Sequence, residues 1–234
     1  MADAERLAFE QMLVHNLKAP LTGILASLEM LYDGDLGVLS DVQRSAVGTM
    51  QAQGTQLVRL IDELLELGRT ESASFTVEPV PIDPAEFLRA VKAEWSGRIP
   101  RLTSEIGPDV PDVIADADVL RRVFDNLLMN ARVHAGSNAG VVVSAERSGD
   151  SVRITVTDDG PGVPALDAER IFEPFFTAGS SGQRTHGLGL AYCRAALAAM
   201  DGTIAFVPGA RGATFAIELP AAVVLTRQAL EQDR

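Results

Sequence analysis

Val152-Arg153-Ile154-Thr155-Val156-Thr157-Asp158-Asp159-Gly160-Pro161-Gly162 is the stretch on which the fold turns. Its first six residues alternate apolar and polar, the two-residue period of a strand with one buried face. The strand ends in an acidic pair followed by Gly-x-Gly. Such a turn lets the backbone approach a flat ligand closely, with the Asp158 carboxylate placed to accept from an amino group such as that of adenine. Taken alone, the same residues also make an ordinary Asp-Gly-Pro turn, so the flanking sequence has to decide.

Strand and helix signals extend outward on both sides. Val141 to Glu146 alternates in the same way and makes a hairpin with Val152 to Thr157. Upstream, Thr76 to Ile82 reads as extended. Asp83-Pro84 with Glu86 supplies an N-cap, a first-turn proline and a capping-box glutamate for a helix to about Ser96. Arg101 to Ile106 and Asp112 to Ala115 are short strand candidates, and Asp116 caps a helix to about Val133. Downstream, residues 160–186 have little regular pattern and much Gly, Pro, Ser and Thr. A helix follows Gly187 to about Met200. Gly202 to Val207 and Ala213 to Leu219 close the domain as a hairpin turning at Pro208-Gly209. Residues 76–220 thus read as a mixed sheet with helices on one face, and 221–234 as an appended tail.

Residues 1–72 follow another period. Val14, Leu17, Leu21, Ile24, Leu28 and Leu31 recur at spacings of three and four, with Leu7 one heptad earlier. Asp33-Gly34-Asp35 and Gly37 break this helix. Ser40 caps a second one, with a seam at Ala46, Met50, Gln53, Leu57, Leu60, Leu64 and Leu67, ended by Gly68 and the polar stretch Arg69 to Ser74. Leu25, Val58, Ile61 and Leu65 widen both stripes. One hairpin cannot bury such stripes, so the pattern predicts a homodimer through residues 1–72, a four-helix bundle of two hairpins. The alternative is that the stripe covers the second domain.

His15, in the run His15-Asn16-Leu17-Lys18-Ala19-Pro20-Leu21, follows the seam position Val14 and is expected to flank the seam and face outward. Pro20 cannot donate to the Asn16 carbonyl, which loosens the helix there, or it simply shapes the bundle. A histidine so placed suits phosphate chemistry only if the chain also supplies a phosphate donor.

A net charge of −12 argues against nucleic acid or an anionic membrane as partner, because phosphate surfaces call for a basic face. No apolar run nears the roughly 20 residues of a membrane span. Met1 to Arg6 is acidic and polar rather than a secretory signal. Cys193, the single cysteine, excludes an internal disulfide. The chain is expected to be cytoplasmic, or the cytosolic part of something longer.

Two more blocks bear on a phosphate donor. Asn126-Leu127-Leu128-Met129-Asn130-Ala131 puts two asparagines four residues apart on one helical face, oxygen donors suited to Mg²⁺ bridged to phosphates. Gly187-Leu188-Gly189-Leu190 opens a helix whose exposed amides and dipole favour an anion. Neither a Rossmann fingerprint nor a Walker A loop is present.

In this order, and with His15 before them, the blocks resemble the sensor histidine kinases of two-component signalling, over residues 5 to 220. The His15 segment looks like the family's phosphoacceptor box and Asn126 to Ala131 like its N box. Asp158 to Gly162 and Gly187 to Leu190 look like its glycine boxes, and Phe172-Glu173-Pro174-Phe175-Phe176 like its F box. The resemblance implies an α+β chain: a dimerising helical hairpin, then an α/β sandwich of the Bergerat ATP-binding type with a lid over residues 163 to 186. It implies ATP and Mg²⁺ as cofactors, with His15 as phosphoacceptor, Asn16 orienting its ring and Asn130 holding Mg²⁺. Asp158 would read adenine. Asn126, His134, Gly160, Gly162, Phe175, Arg184, Gly187, Leu188 and Gly189 would complete the nucleotide site. The partner implied is a response-regulator receiver domain that accepts the phosphate on aspartate, with an upstream sensor domain or partner supplying the signal.

Several positions depart from the family. Bergerat-type hydrolases place a water-activating glutamate where this chain has Asn126, so the pocket is expected to hold ATP without rapid hydrolysis. Asn16 stands where the family usually has an acidic residue and cannot take a proton, so slow autophosphorylation is expected. Ala19 replaces the Thr or Asn that positions water, which predicts weak phosphatase activity. Val133 replaces a basic residue, for which Arg132 or Arg184 would compensate, and Thr185 replaces a glycine; His186 contacts phosphate or is a solvated lid residue. A histidine phosphotransfer or scaffold protein with a vestigial nucleotide domain is the alternative these departures favour.

Overall fold

The computed structural model of the chain describes residues 2–70, 76–136, 138–177, 186–209 and 212–222; its side chains are described from Lys18 onward, except at 56, 59, 62–67, 69 and 70. Two compact units divide at Ser74 and Phe75. Each is described by itself. No helix among the described residues is long and apolar enough to cross a membrane.

The first unit is a hairpin of α1 (Ala2–Asp33) and α2 (Asp41–Thr70). α1 runs unbroken through Pro20. Ser40 opens α2 as a reciprocal capping box: its N–H donates to Gln43 Oε1 at 2.9 Å, and Gln43 N–H donates to Ser40 Oγ at 3.4 Å. Arg44 ties the helix ends together. It donates to the Tyr32 carbonyl at 2.8 Å and stacks over the Tyr32 ring. α2 runs to Thr70, so it ends inside the stop read from sequence, Gly68 to Ser74.

The packing sorts the apolar stripes differently from the heptad reading. Within the hairpin the inward positions are Leu21, Leu25, Leu28 and Leu31 on α1, with Val47, Gly54, Val58 and Ile61 on α2. Leu25 lies over Gly54. Ile24, Met50 and Leu57, read as seam, are 56%, 53% and 46% exposed. The reason is geometric. Each helix carries two apolar stripes, and a spacing pattern alone does not tell which one faces the other arm of the same hairpin.

The second unit is built on a five-stranded sheet of order β2-β4-β5-β7-β6. Its strands are β2 (Arg101–Ile106), β4 (Gly140–Ser148), β5 (Ser151–Asp158), β6 (Thr203–Val207) and β7 (Thr214–Pro220). β2 and β4 are parallel; the other pairs are antiparallel, so the sheet is mixed. One face, with Val141, Val143, Val152, Ile154, Val156, Ile217 and Leu219, is buried under α3 (Pro84–Trp95), α4 (Ala117–His134) and α5 (Gly189–Ala198). The other face carries cross-strand polar pairs: Ser144 with Thr155, Thr157 with Thr214, and Arg153 with Glu218.

The helix starts follow local chemistry. Asp83 accepts from Ala85 N–H at 2.8 Å ahead of Pro84, and Asp116 accepts from Asp118 and Val119 N–H groups. α4 buries Leu120, Val123, Phe124, Leu127, Leu128 and Ala131, which fixes its rotation and leaves Asn126 and Asn130 half-buried on its flank. Each large apolar side chain buried this way contributes about 1.5–3 kcal/mol.

Three details differ from the sequence reading. The extended segment before α3 shortens to β1 (Val80–Ile82), which pairs with β3 (Val113–Ala115) as a separate two-stranded sheet. The described part of the irregular stretch holds two single 3₁₀ turns, Ala165–Asp167 and Arg170–Phe172. The start of the tail is structural: Ala221 is buried and bridges to Val113, and Ala222 N–H donates to the Asp112 carbonyl at 2.8 Å. The remainder of that tail, 223–234, lies outside the described residues.

Candidate functional site

Three of the sequence blocks converge within the second unit. α4 and α5 pack together, and the side-chain oxygen of Asn126 lies against the backbone of Gly189; a β-carbon on Gly189 would sit 2.7 Å from it. The Asn126 amide donates to the Arg122 carbonyl at 3.0 Å. Both ends of that side chain are therefore engaged, and it has no basic group. Asn130, one turn further along α4 and half-buried, has no side-chain hydrogen bond among the described residues.

Asp158 closes β5 and is the one buried polar or charged residue of the described core, 7% exposed. Its Oδ1 accepts from Gly160 N–H at 2.9 Å and Ala213 N–H at 3.2 Å. That leaves Oδ2 for a ligand donor. Burial raises its pKa above the usual 3.8. The two amide hydrogen bonds pull the other way, the Asp159 charge adds to the rise, and the His134 charge at the end of α4 opposes it. His134 itself is exposed.

Glycines bring the backbone in close. Gly212 has φ +72°, and a β-carbon there would overlap the Asp158 carbonyl oxygen. The sequence reading missed it; its only local signal is a glycine just before the Ala213-Thr214 strand start. Gly187 has φ +67°, and its carbonyl accepts from Phe175 N–H at 3.0 Å. That bond pins the two ends of the segment between them. Gly160 and Gly162 carry the chain away from the sheet, under Ala135 and against Gly212.

Among the described residues no side chain caps α5, a start whose first amides would suit an anion. Leu188 puts its side chain in the core and contributes backbone only. Phe172 packs edge-on against Phe215 in the core, whereas the Phe175 ring is 61% exposed on a backbone of φ +65°. Arg184 lies outside the described residues. His15 and Asn16 lie on α1, in the other unit, with their side chains undescribed.

Among the described residues no group of three His, Cys, Asp or Glu could hold a metal. One free amide oxygen fits Mg²⁺ arriving with phosphates, since that ion keeps most of its shell as water and phosphate oxygen. A buried carboxylate, a helix start with no described side-chain cap and a half-buried amide oxygen are the groups that would suit the base, phosphates and cation of a nucleotide, in a chain that also carries a helical hairpin.

The comparisons agree for both units. Residues 115–223 match the family model described as histidine kinase-, DNA gyrase B- and HSP90-like ATPase, and residues 5–73 match the His kinase A (phospho-acceptor) domain. Sensor histidine kinase RcsC of Escherichia coli K12 is 33% identical over 216 residues, covering 88% of this chain and 22% of that protein. The full-length structure of ShkA in complex with AMPPNP matches with TM-score 0.76 and 30% identity, over 93% of this chain and 46% of that one. The catalytic domain of histidine kinase ThkA matches at 29% identity and TM-score 0.56, over 62% of this chain and 97% of that one. The chain belongs to the sensor histidine kinases of two-component signalling. It spans about a fifth of the length of RcsC and under half of ShkA.

Proposed function

We propose that this chain is an ATP-dependent protein-histidine kinase that phosphorylates itself on His15 and passes the phosphoryl group to an aspartate of a response-regulator receiver domain. The observation that carries the reading is Asn126. It is seated against Gly189 and bonded within its own helix, so the position from which related hydrolases activate water holds no base. A pocket of this kind keeps ATP intact until another nucleophile arrives.

The site residues divide the work. Asp158 Oδ2 accepts from the base amine, which selects adenine. The α5 start, Gly187 to Gly189, would meet the phosphates with backbone amides that no described side chain caps. Asn130 would hold Mg²⁺, which when bound neutralises phosphate charge. At His15 an imidazole nitrogen forms the N–P bond as the bond to the ADP oxygen breaks. Asn16 orients that ring through its carbonyl. Catalysis is then mostly positioning, as in other phosphoryl transfers.

A homodimer through the hairpin is supported by the stripe of Ile24, Val42, Met50 and Leu57, apolar and outward-facing in the single hairpin. Residues 1–72, 76–220 and 221–234 are proposed as the phosphoacceptor, catalytic and tail segments, with Ala221 and Ala222 structurally part of the catalytic one. A cytoplasmic location follows from the need for ATP. The test is incubation with γ-labelled ATP. The reading requires label retained on the protein with little free phosphate; rapid phosphate release with no retained label would contradict it.

A further inference from the structure

Asp159, next to the buried Asp158, is taken up by the sheet edge. Its N–H donates to the Gly140 carbonyl at 3.1 Å, and its Oδ1 accepts from Gly140 N–H at 2.8 Å. Val141 pairs with Asp158 in the register of β4 and β5, so Gly140 is the next rung. On that rung the Asp159 side chain takes the place of a ladder carbonyl. The main chain is then free to leave the sheet at Gly160 with no backbone donor left unpaired. Arg101, the first residue of β2, holds the other oxygen: its Nη1 donates to Asp159 Oδ2 at 3.2 Å and to the Asn138 carbonyl at 3.2 Å. Gly140 lies directly beneath this pair.

We propose that Arg101 and Asp159 are a positioning pair for base recognition, fixing through Gly140 the point where the chain leaves β5 and hence the direction of the Asp158 carboxylate. Neither residue touches the nucleotide. The inference rests on the reading of Asp158 as the adenine acceptor. Three anchors then orient that acceptor: Ala213 on the β7 side, Gly160 within the turn, and the Arg101–Asp159–Gly140 clamp on the β4 side. Ion pairs this exposed, 57% and 47%, add little to stability, which makes a role in positioning separable from one in folding.

The charges around Asp158 give the test its sign. Among the described residues they are Asp159 beside it and His134 on α4, with Arg101 on β2 paired to Asp159. Asp159→Asn keeps an oxygen for Gly140 N–H but removes a neighbouring negative charge. Arg101→Gln leaves that negative charge unopposed. The measurement is the affinity for ADP and for inosine diphosphate, which lacks the base amine, by calorimetry across acid to neutral pH on the whole chain. Comparison with wild type cancels the nucleotide's own titration.

Asp159→Ala is expected to lower the ADP-over-IDP preference by roughly tenfold, about the worth of one charge-assisted hydrogen bond, and Asp159→Asn is expected to restore much of it. The acid limb of ADP binding is expected to move to lower pH in Asp159→Asn and to higher pH in Arg101→Gln. A purely structural clamp would weaken both nucleotides equally, whatever the limb does. Preference unchanged in all three variants, with wild type binding ADP, would overturn the pair alone. A wild type that binds no ADP would overturn the nucleotide reading itself.

Discussion

The side-chain oxygen of Asn126 rests on Gly189, so that a β-carbon at Gly189 would lie 2.7 Å from it. This contact joins α4 to the start of α5. Gly189→Ala is therefore expected to push α5 and Asn126 apart at a strain of about 1–3 kcal/mol and to weaken ADP binding roughly tenfold. Adding Asn126→Ala to it should recover part of the loss, and calorimetry on the double-mutant cycle measures this. Strictly additive losses would show that the contact does not matter.

Asp158 is expected to set stability and binding against each other. Its folded pKa lies above the unfolded value of 3.8, so its contribution to stability is present below that value and is lost as pH rises through the folded pKa. At neutral pH the buried charge opposes folding. Asp158→Asn keeps an oxygen for Gly160 and Ala213 N–H and should raise the melting temperature at pH 7 while reducing the ADP-over-IDP preference. ADP affinity of the wild type should begin to fall, on acidification, at a pH higher than an ordinary aspartate would impose. A lower melting temperature for Asp158→Asn at pH 7 would contradict this account.

Phe175 holds φ +65° with an exposed ring. A bulky residue in that region costs on the order of 1–3 kcal/mol. Phe175→Gly should stabilise the protein by about 1 kcal/mol in denaturant titration, after glycine's added chain entropy is deducted. Loss of stability would show that the ring contributes more than the backbone costs.

Leu57 is 46% exposed in the single hairpin although it continues an apolar stripe with Met50. Leu57→Glu should lower dimer affinity at least tenfold in sedimentation equilibrium, given about 1.5–3 kcal/mol per buried leucine. ADP affinity per chain should not change. A dimer of unaltered affinity would move the interface elsewhere.

What the sequence disclosed follows the range of the interactions involved. The starts of α3 and α4 were legible because Asp83-Pro84 and Asp116 act within a few residues of themselves. The β4–β5 hairpin was legible from its alternation, and the glycine blocks from their place at element ends. The β1–β3 pair was not, because three-residue strands carry too short a period, and their pairing joins segments more than thirty residues apart. Gly212 escaped notice because its reason lies in the Asp158 carbonyl, on another strand. The seam read from sequence includes the inward Leu21, Leu28 and Leu31 of α1 but does not single out the inward side of α2, since Val47, Gly54 and Ile61 recur with the same period as Met50 and Leu57. The link between Arg101 and Asp159 was not legible, because it depends on the register that brings both to Gly140.

The central claim is that His15 receives the γ-phosphoryl group. Incubation with γ-labelled ATP is the most direct test, comparing wild type, His15→Ala and Asn16→Asp. The account predicts acid-labile, alkali-stable label on wild type and none on His15→Ala. It also predicts faster labelling of Asn16→Asp, since a positioned base is worth roughly 10²–10⁴-fold. Label that persists on His15→Ala would contradict it.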